Sequence, residues 1–356
     1  MSDAPSSGGS TPVQDRAPQP SVETVRGRLP VTELKSVLMH EHVFVTDPEI
    51  HLNYPHLWQE DVRIAEAVSK LTALKQAGVD TIVDPTVIGL GRDVARVARV
   101  NALVDINIIV ATGIYTYNDL PHFFEYNGPK TALGNDEQMV SLFVRDLTRG
   151  IAGTAIKAAF LKCALEGELT AGVERVLRAV AETHKRTGAP ITVHTNPAAR
   201  TGLLAQRILT EEGVDLGAVV IAHSGDTTDL DYLRELIDNG SYVGMDRFGL
   251  DILLPGDQRV TTVAKLAEQG LAERMVLSHD ASCHIDWFPP GVREELAPNW
   301  QFTHIHDTVL PALRHAGVSD RQIDTMLIDN PRRYFSGGRA NRVSGEIPAP
   351  GPEADH

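Results

Sequence analysis

The chain has 356 residues, of which 42% are hydrophobic and 22% charged, an ordinary composition for a globular protein with a sizeable core. It carries 47 acidic and 33 basic residues, a formal net charge of −14, and lacks the basic stripe that binds nucleic-acid phosphates or an anionic membrane. No stretch has the roughly 18 apolar residues that a membrane span needs, and the first thirty residues do not resemble a secretory signal.

The two cysteines, Cys163 and Cys283, have no CxxC partner, which excludes a disulfide framework and a structural zinc knot. Two reduced thiols are typical of a cytoplasmic protein, and we expect that location.

The two ends of the chain are rich in Ser, Pro, Gly and Asp and poor in apolar periodicity. This composition predicts a disordered N-terminal arm over residues 1–26 and a disordered C-terminal tail over residues 337–356. No Pro/Gly/Ser-rich linker interrupts residues 27–336, so we expect them to form a single domain.

Within that domain, short β-branched runs alternate with amphipathic stretches of helical period, such as residues 60–78 and 171–188. Strand–helix alternation predicts parallel strands with crossover helices, and eight units in one domain favour a closed (β/α)8 TIM barrel. A doubly wound open sheet is the alternative, but no glycine-rich nucleotide-binding motif supports it. The predicted strands are residues 36–44, 79–86, 106–113, 156–165, 190–195, 218–224, 241–248 and 274–280.

Side chains capable of binding or supporting a metal fall near the C-terminal ends of five of these strands. His40 and His42 are two residues apart, which points both imidazoles to the same face of a strand. In a TIM barrel such strand ends meet at one mouth, where active sites lie. The candidate residues are His40, His42, Lys162, His194, His223 and Asp280.

Taken singly, each residue has a plainer interpretation. A lone histidine is usually a satisfied core residue, Asp280 could cap the next segment, and Lys162 could reach solvent with its ammonium. Together they favour a two-metal site, because imidazoles and carboxylates suit zinc, iron, cobalt or manganese. Lys162 does not fit this scheme directly, since an ammonium donates protons and cannot act as a ligand.

The segments LMHEHVF, VHTN, IAHSGDTTDL, GMDRFGLD and LSHD, with the Lys162 strand, resemble the phosphotriesterase-like lactonases of the amidohydrolase superfamily. The resemblance runs from about Leu29 to Phe335. It implies a homodimeric hydrolase with two divalent metal ions, most often zinc, and a lysine carbamylated by carbon dioxide. On that pattern His40, His42 and Asp280 hold the more buried ion, His194 and His223 hold the more exposed ion, and the Lys162 carbamate bridges both.

Further positions match the lactonase pattern. Tyr115 follows the third predicted strand and Arg247 lies at the C-terminal end of the seventh, where the resemblance implies substrate contacts beside the exposed metal. The plainer alternatives are an aromatic rim residue for Tyr115 and a surface ion pair with Asp246 or Asp251 for Arg247. Residues 281–300 form a long predicted connection whose aromatic residues, Trp287 and Phe288 among them, are expected to contact an acyl chain or to pack as a lid.

The combined hypothesis is a hydrolase that opens lactones, N-acyl-homoserine lactones and related γ- or δ-lactones, by attack of a metal-bridging hydroxide. Asp280 would act as general acid and base, and organophosphate triesters would be slower substrates. The alternatives are a dedicated phosphotriesterase, a mononuclear deaminase and a non-catalytic metal-binding barrel.

Overall fold

The central strands consist almost entirely of buried residues, as expected when parallel strands are covered by helices on one side and by each other on the other. The computed structural model describes residues 19–132 and 134–337. The strands are β1 Ser21–Thr24, β2 Gly27–Pro30, β3 Val37–Leu38, β4 His42–Val45, β5 Thr81–Asp84, β6 Asn107–Gly113, β7 Phe160–Leu165, β8 Ile191–Thr195, β9 Val219–Ala222, β10 Tyr242–Met245, β11 Met275–Leu277 and β12 Ser282–Ile285.

The amphipathic stretches predicted at residues 60–78 and 171–188 form the helices α2, Glu60–Gln76, and α6, Ala171–Thr187. In α6, for example, the Thr170 side chain accepts a hydrogen bond from the Val173 amide at the start, and Gly188 ends the helix at φ 73°. The helices are α1 Pro48–Asn53, α2 Glu60–Gln76, α3 Val94–Asn101, α4 His122–Tyr126, α5 Gln138–Thr148, α6 Ala171–Thr187, α7 Thr201–Glu211, α8 Leu230–Asp238, α9 Gly256–Glu268, α10 Val292–Leu296, α11 Leu310–His315, α12 Asp320–Asp324 and α13 Asn330–Ser336.

Eight strands pair in parallel in the order β3-β5-β6-β7-β8-β9-β10-β11. The two edges meet where the amide of Met39, the residue after β3, donates to the carbonyl of Leu277, the last residue of β11, at 3.3 Å. The predicted (β/α)8 TIM barrel is therefore confirmed, and the doubly wound alternative is wrong. Among the described residues, no helix is both long enough and apolar enough to span a bilayer.

The first barrel strand differs from its prediction as a continuous run over residues 36–44. It breaks at residues 39–41, where the His40 amide donates to Ser278 Oγ instead of to a neighbouring strand. The chain resumes as β4, which pairs in parallel with β12 beyond the barrel ladder. Residues 281–300, predicted as a plain connection, therefore contain strand β12 and helix α10.

The N-terminal boundary at residue 26 is wrong for residues 21–26, because β1 and β2 form an antiparallel hairpin there. Val22 is buried in a cluster with barrel residues, and the Val25 amide donates to the Ile108 carbonyl of β6 at 2.9 Å. The remaining predicted disorder, at residues 1–18 and 338–356, lies outside the described residues.

The two-residue period of a strand determines which side chains enter the barrel. Phe160, Val220, Tyr242 and Val276 belong to the buried cluster that also contains the hairpin residue Val22. Side chains two residues further along such strands, Lys162 after Phe160 for example, lie above this layer toward the C-terminal mouth. Both cysteines are buried free thiols, as predicted.

Candidate metal centre

The predicted site residues gather at the C-terminal mouth of the barrel, although up to 240 positions separate them in sequence (280 − 40). They border a cavity of about 150 Å³, together with apolar side chains such as Val45, Leu90 and Leu250. The predicted residues that share this cavity are His40, His42, Tyr115, Lys162, His194, His223, Arg247, Asp280, Trp287 and Phe288.

Lys162 lies on β7 and is only 1% exposed. Its Nζ atom is 3.5 Å from His40 Nε2, so the amine faces the centre of the site and not solvent. Burial lowers the pKa of Lys162 to about 8, which brings the neutral amine within the physiological range. The neighbouring strand needs glycine at Gly113, because a Cβ there would lie 1.8 Å from the Lys162 carbonyl oxygen and φ is +143°.

His40 and His42 each use Nδ1 for an outer polar partner. His40 Nδ1 is 3.1 Å from Asp246 Oδ2, and His42 Nδ1 is 2.7 Å from Thr86 Oγ1. Asp84 in turn accepts hydrogen bonds from the Thr86 amide and hydroxyl. These contacts leave Nε2 of both rings directed at Asp280, whose Oδ1 is 3.3 Å and 3.2 Å away.

The other two histidines also have outer carboxylate partners, His223 through Nδ1 and His194 through Nε2. His223 Nδ1 is 3.1 Å from Asp246 Oδ1, which also accepts the His223 amide at 2.8 Å. His194 instead uses Nε2, 2.6 Å from Glu166 Oε2, which leaves Nδ1 as its nitrogen for a metal. The two rings are neighbours, with centroids 4.5 Å apart.

Burial makes these imidazoles suitable ligands. It lowers the pKa of His40 and of His194 to about 4 and that of His223 well below its ordinary value. The rings are therefore neutral at physiological pH, the form in which imidazole binds metals. Outer hydrogen bonds that fix ring orientation are a regular feature of protein metal sites.

Two triplets of residues in the described structure could hold an ion, each with ligand atoms within 4.8 Å of one another. One is His40, His42 and Asp280, the set that the family resemblance implies for the more buried ion. The other is His40, His223 and Asp246. We assign Asp246 as the outer partner of both histidines, because its oxygens face their Nδ1 atoms. The sequence offered Asp246 only as a possible partner of Arg247, because its histidine partners are distant in the chain.

Two site residues have left-handed backbones, His223 at φ 64° and Asp280 at φ 57°. For residues other than glycine this conformation costs about 1–3 kcal/mol and is commonly found at functional sites. His223 directly follows β9, and Asp280 lies three residues beyond Leu277, the last residue of β11. The strained turns aim both side chains into the mouth.

Arg247 connects two carboxylates. Its Nε donates to Asp280 Oδ2 and its Nη1 to Asp226 Oδ2, both at 2.9 Å. Burial opposes the charged form, but the two carboxylates outweigh it and raise the pKa of Arg247. The surface ion pair with Asp246 or Asp251, considered as an alternative, is therefore wrong.

Asp280 is held as a carboxylate. Burial alone would raise its pKa, yet His40, His223 and Arg247 keep the pKa of Asp280 well below its usual range. A carboxylate beside neutral imidazoles is a donor set that divalent ions such as zinc accept.

Aromatic side chains form one wall of the cavity. The Tyr115 ring lies edge-on to His194, with centroids 5.2 Å apart, and its hydroxyl hydrogen bonds to that of Tyr117. Burial raises the pKa of Tyr115, so its phenol stays neutral. Tyr117, two residues further along, was missed despite the visible Tyr-x-Tyr spacing. Trp287 is 55% exposed at the rim.

Comparison with known proteins places this site in context. The Phosphotriesterase family model matches residues 20–335. The chain is 56% identical over 318 residues to the phosphotriesterase homology protein of Mycobacterium tuberculosis, covering 89% of this chain and 98% of that protein. It is 42% identical over 302 residues to an aryldialkylphosphatase of Saccharolobus solfataricus, covering 84% and 94%. A solved structure, described as the phosphotriesterase from Mycobacterium tuberculosis, is similar with a TM-score of 0.88, 55% identity and coverage of 89% and 99%.

Proposed function

Since this chain belongs to the phosphotriesterase family of hydrolases, we propose that it opens lactones with the help of two divalent metal ions. The observation that carries the proposal is the shared cavity, in which the neutral Tyr115 phenol and apolar walls face the six candidate ligands. N-acyl-homoserine lactones and related γ- and δ-lactones combine a polar ring with an apolar chain, which suits such a cavity. Organophosphate triesters are proposed as slower substrates.

The residues fit two ions, most simply zinc, with four imidazoles, one carboxylate and one lysine. When bound, the ions would polarise a carbonyl oxygen and lower the pKa of a water molecule. We propose that Lys162 participates as a carbamate, since its ammonium form cannot bind a metal. The lowered pKa of Lys162 supports this, because it is the neutral amine that reacts with carbon dioxide.

The chain itself supplies proton transfer and orientation. Water adds to the lactone carbonyl carbon, and the ring C–O bond then breaks to leave an alkoxide. We assign Asp280 to carry the proton from that water to the alkoxide, as general base and then general acid. Arg247 holds Asp280 Oδ2, which turns Oδ1 toward His40 and His42.

Substrate orientation is assigned to the cavity walls. Tyr115 keeps its proton and is available as a hydrogen-bond donor to a substrate oxygen. Leu250, Leu253, Ile285 and Phe288 offer apolar surface to an acyl chain.

A dedicated phosphotriesterase is the second candidate, supported by the similarity to the aryldialkylphosphatase. The decisive experiment measures kcat/KM of the zinc-loaded protein on a long-chain N-acyl-homoserine lactone, a simple δ-lactone and an aryl dialkyl phosphotriester. We expect both lactones to exceed the phosphotriester. A phosphotriester value above every lactone value would replace our proposal with the alternative.

The matched variant is Asp280→Asn, with Asp238→Asn on the exposed face of α8 as control. We expect Asp280→Asn to keep most of its metal by elemental analysis and to lose lactone turnover by about 100-fold or more. Wild-type turnover in this variant would contradict the role given to Asp280.

A further inference from the structure

The largest fully buried side chain of the described structure is that of Arg259, on α9, which is 1% exposed and does not line the metal-centre cavity. A buried guanidinium is costly unless its donors are satisfied. Arg259 Nε donates to the Leu254 carbonyl at 3.0 Å and Nη2 to the Leu250 carbonyl at 3.3 Å. Its Nη1 donates to the Gly225 carbonyl at 2.8 Å and to Asp226 Oδ1 at 2.6 Å.

These contacts reach two parts of the barrel mouth at once. Leu250 and Leu254 belong to the loop between β10 and α9, whose residues Leu250 and Leu253 form part of the cavity wall. Asp226 belongs to the turn after β9 that begins at His223, whose carbonyl accepts the Asp226 amide at 3.0 Å. Arg259 therefore ties the apolar wall to the turn that carries a candidate metal ligand.

Asp226 is shared by two guanidinium groups. Its Oδ1 accepts from Arg259 and its Oδ2 from Arg247, and Arg247 in turn donates to Asp280 Oδ2. The result is an alternating series of charges, Arg259, Asp226, Arg247 and Asp280, that runs from α9 to the centre of the site. Each link is a single charge-assisted hydrogen bond of 2.6–2.9 Å, and its direction limits where the next side chain can lie.

We propose that Arg259 is a positioning residue that couples the acyl-chain wall to the acid–base carboxylate Asp280. It fixes Asp226, which orients Arg247 and through it Asp280, and it holds the backbone of the loop that presents Leu250 and Leu253. This inference rests on the proposed function for its kinetic consequences but not for its structural ones.

The test uses zinc-loaded full-length protein and three substitutions. Asp226→Asn keeps the loop contacts of Arg259 but removes the charge between the two guanidiniums. Arg259→Lys keeps the charge but cannot reach all four acceptors. Arg207→Lys, an exposed arginine on α7, is the control.

Kinetics with an N-acyl-homoserine lactone series separate the two roles. We expect Asp226→Asn to lower kcat by about 10- to 100-fold with little change in KM, because it disturbs only the link to Asp280. Arg259→Lys should lower kcat similarly and also raise KM for long-chain more than for short-chain substrates. The double variant, Asp226→Asn with Arg259→Lys, should lose less kcat than the product of the two single losses, since both substitutions act through the contact between Arg247 and Asp280.

Bound zinc and crystal structures provide readouts independent of turnover. We expect wild-type metal content in all variants and a lengthening of the Arg247 Nε to Asp280 Oδ2 contact from 2.9 Å to beyond 3.5 Å in Asp226→Asn and Arg259→Lys. An unchanged contact overturns the inference whatever the substrate proves to be. If Arg259→Lys lowers the melting temperature but leaves kcat and KM unchanged, Arg259 only stabilises the packing of α9. The same conclusion follows if the kcat loss of the double variant equals the product of the two single losses.

Failure of the proposed lactonase function gives a different experimental result from failure of the inference about Arg259. If the wild-type protein hydrolyses only phosphotriesters, the lactone proposal falls, and the kcat loss in both variants is then measured on the phosphotriester. If Arg259 positions Asp280, kcat on the phosphotriester falls by the same factor in both variants. An unchanged kcat on the phosphotriester overturns the inference.

Discussion

At the scale of single residues, the Asp246 carboxylate contacts two candidate metal ligands, His40 and His223. Its negative charge is essential because both of its oxygens must accept hydrogen bonds. Each oxygen accepts from a histidine Nδ1–H, and Oδ1 also accepts the His223 amide. Gly244 leaves room for it, because a Cβ at that position would lie 2.5 Å from Asp246 Oδ2. Both histidines are thereby held in the tautomer that presents Nε2 to a metal.

Asp246→Asn tests this arrangement. The single amide oxygen must stay with the His223 amide, so the amide NH2 faces His40 and forces its proton onto Nε2. We expect the ion held by His40 to bind about 10- to 100-fold more weakly, with a smaller effect on the ion held by His223. Zinc titration of the chelator-treated protein by calorimetry measures both affinities, with Asp238→Asn as control. Equal affinities in variant and wild type would contradict the role of Asp246.

Lys162 supports a second prediction, because in the metal-free protein it is a buried amine with no carboxylate oxygen within 4 Å among the described residues. Lys162→Met keeps the length of the side chain and removes the charge. We expect metal-free Lys162→Met to be more stable than the metal-free wild type by about 1–3 kcal/mol, because burying an ammonium is costly.

The same substitution should remove most of the increase in unfolding free energy that zinc gives the wild type, since a thioether cannot replace the proposed carbamate. Urea unfolding of each protein with and without zinc gives the four free energies. Equal gains in stability on adding zinc to the variant and the wild type would show that Lys162 takes no part in metal binding.

At the scale of elements, Glu41 joins the first and last strands of the barrel. This fully buried carboxylate accepts hydrogen bonds from Ser278 Oγ, from the His279 amide and ring, and from the Ala281 amide, at 2.6–3.0 Å. The His279 ring continues the connection, because its Nε2 accepts the amide of Ile305, which begins the helical segment that runs into α11. One side chain thus closes the barrel at the point where the first strand breaks.

Glu41→Gln is expected to destabilise the metal-free protein by about 2–4 kcal/mol, since an amide NH2 would face donors in a buried site. Glu49→Gln on the exposed α1 is the matched control. Urea unfolding measures the free energy of unfolding of both. A loss no larger than that of the control would show that the Glu41 contacts do not secure barrel closure.

The contrast between His40 and Glu41 shows what the sequence could predict. The His-x-His spacing and strand period were enough to place both histidines in the mouth, because that inference needs only local geometry. The partners of Glu41 lie 237–240 positions away, so no local pattern indicated its role. Asp246 and Glu166 were missed for the same reason, as their histidine partners lie on other strands.

At the scale of the whole molecule, the barrel was predictable because each of eight strands carries its own apolar signal. The N-terminal hairpin was not, since its strands have four residues each and its composition continues that of the preceding arm. Its burial depends on contact with Ile108 on a strand about 80 positions later, and that contact is a property of the closed barrel.

The outer surface supports the last prediction, a homodimer. Leu52 is 82% exposed and Tyr54 53% exposed at α1, and Phe123 and Tyr126 on α4 are 57% and 61% exposed. Large apolar side chains grouped on exposed helices are typical of protein interfaces. We expect the protein to have twice the chain mass by light scattering at micromolar concentration, because a stable interface would cover such surfaces.

Leu52→Asp and Tyr126→Asp should each shift the protein toward monomer, since a carboxylate in an apolar interface is left without a partner. Leu103→Asp, at a side chain that is 65% exposed after α3, is the control and should stay dimeric. The candidate metal ligands all lie within one chain, so we expect lactone kcat per chain to change by less than about twofold in the monomeric variants. A wild-type mass equal to one chain would contradict the prediction outright, and dimers in both charged variants would place the interface elsewhere on the barrel.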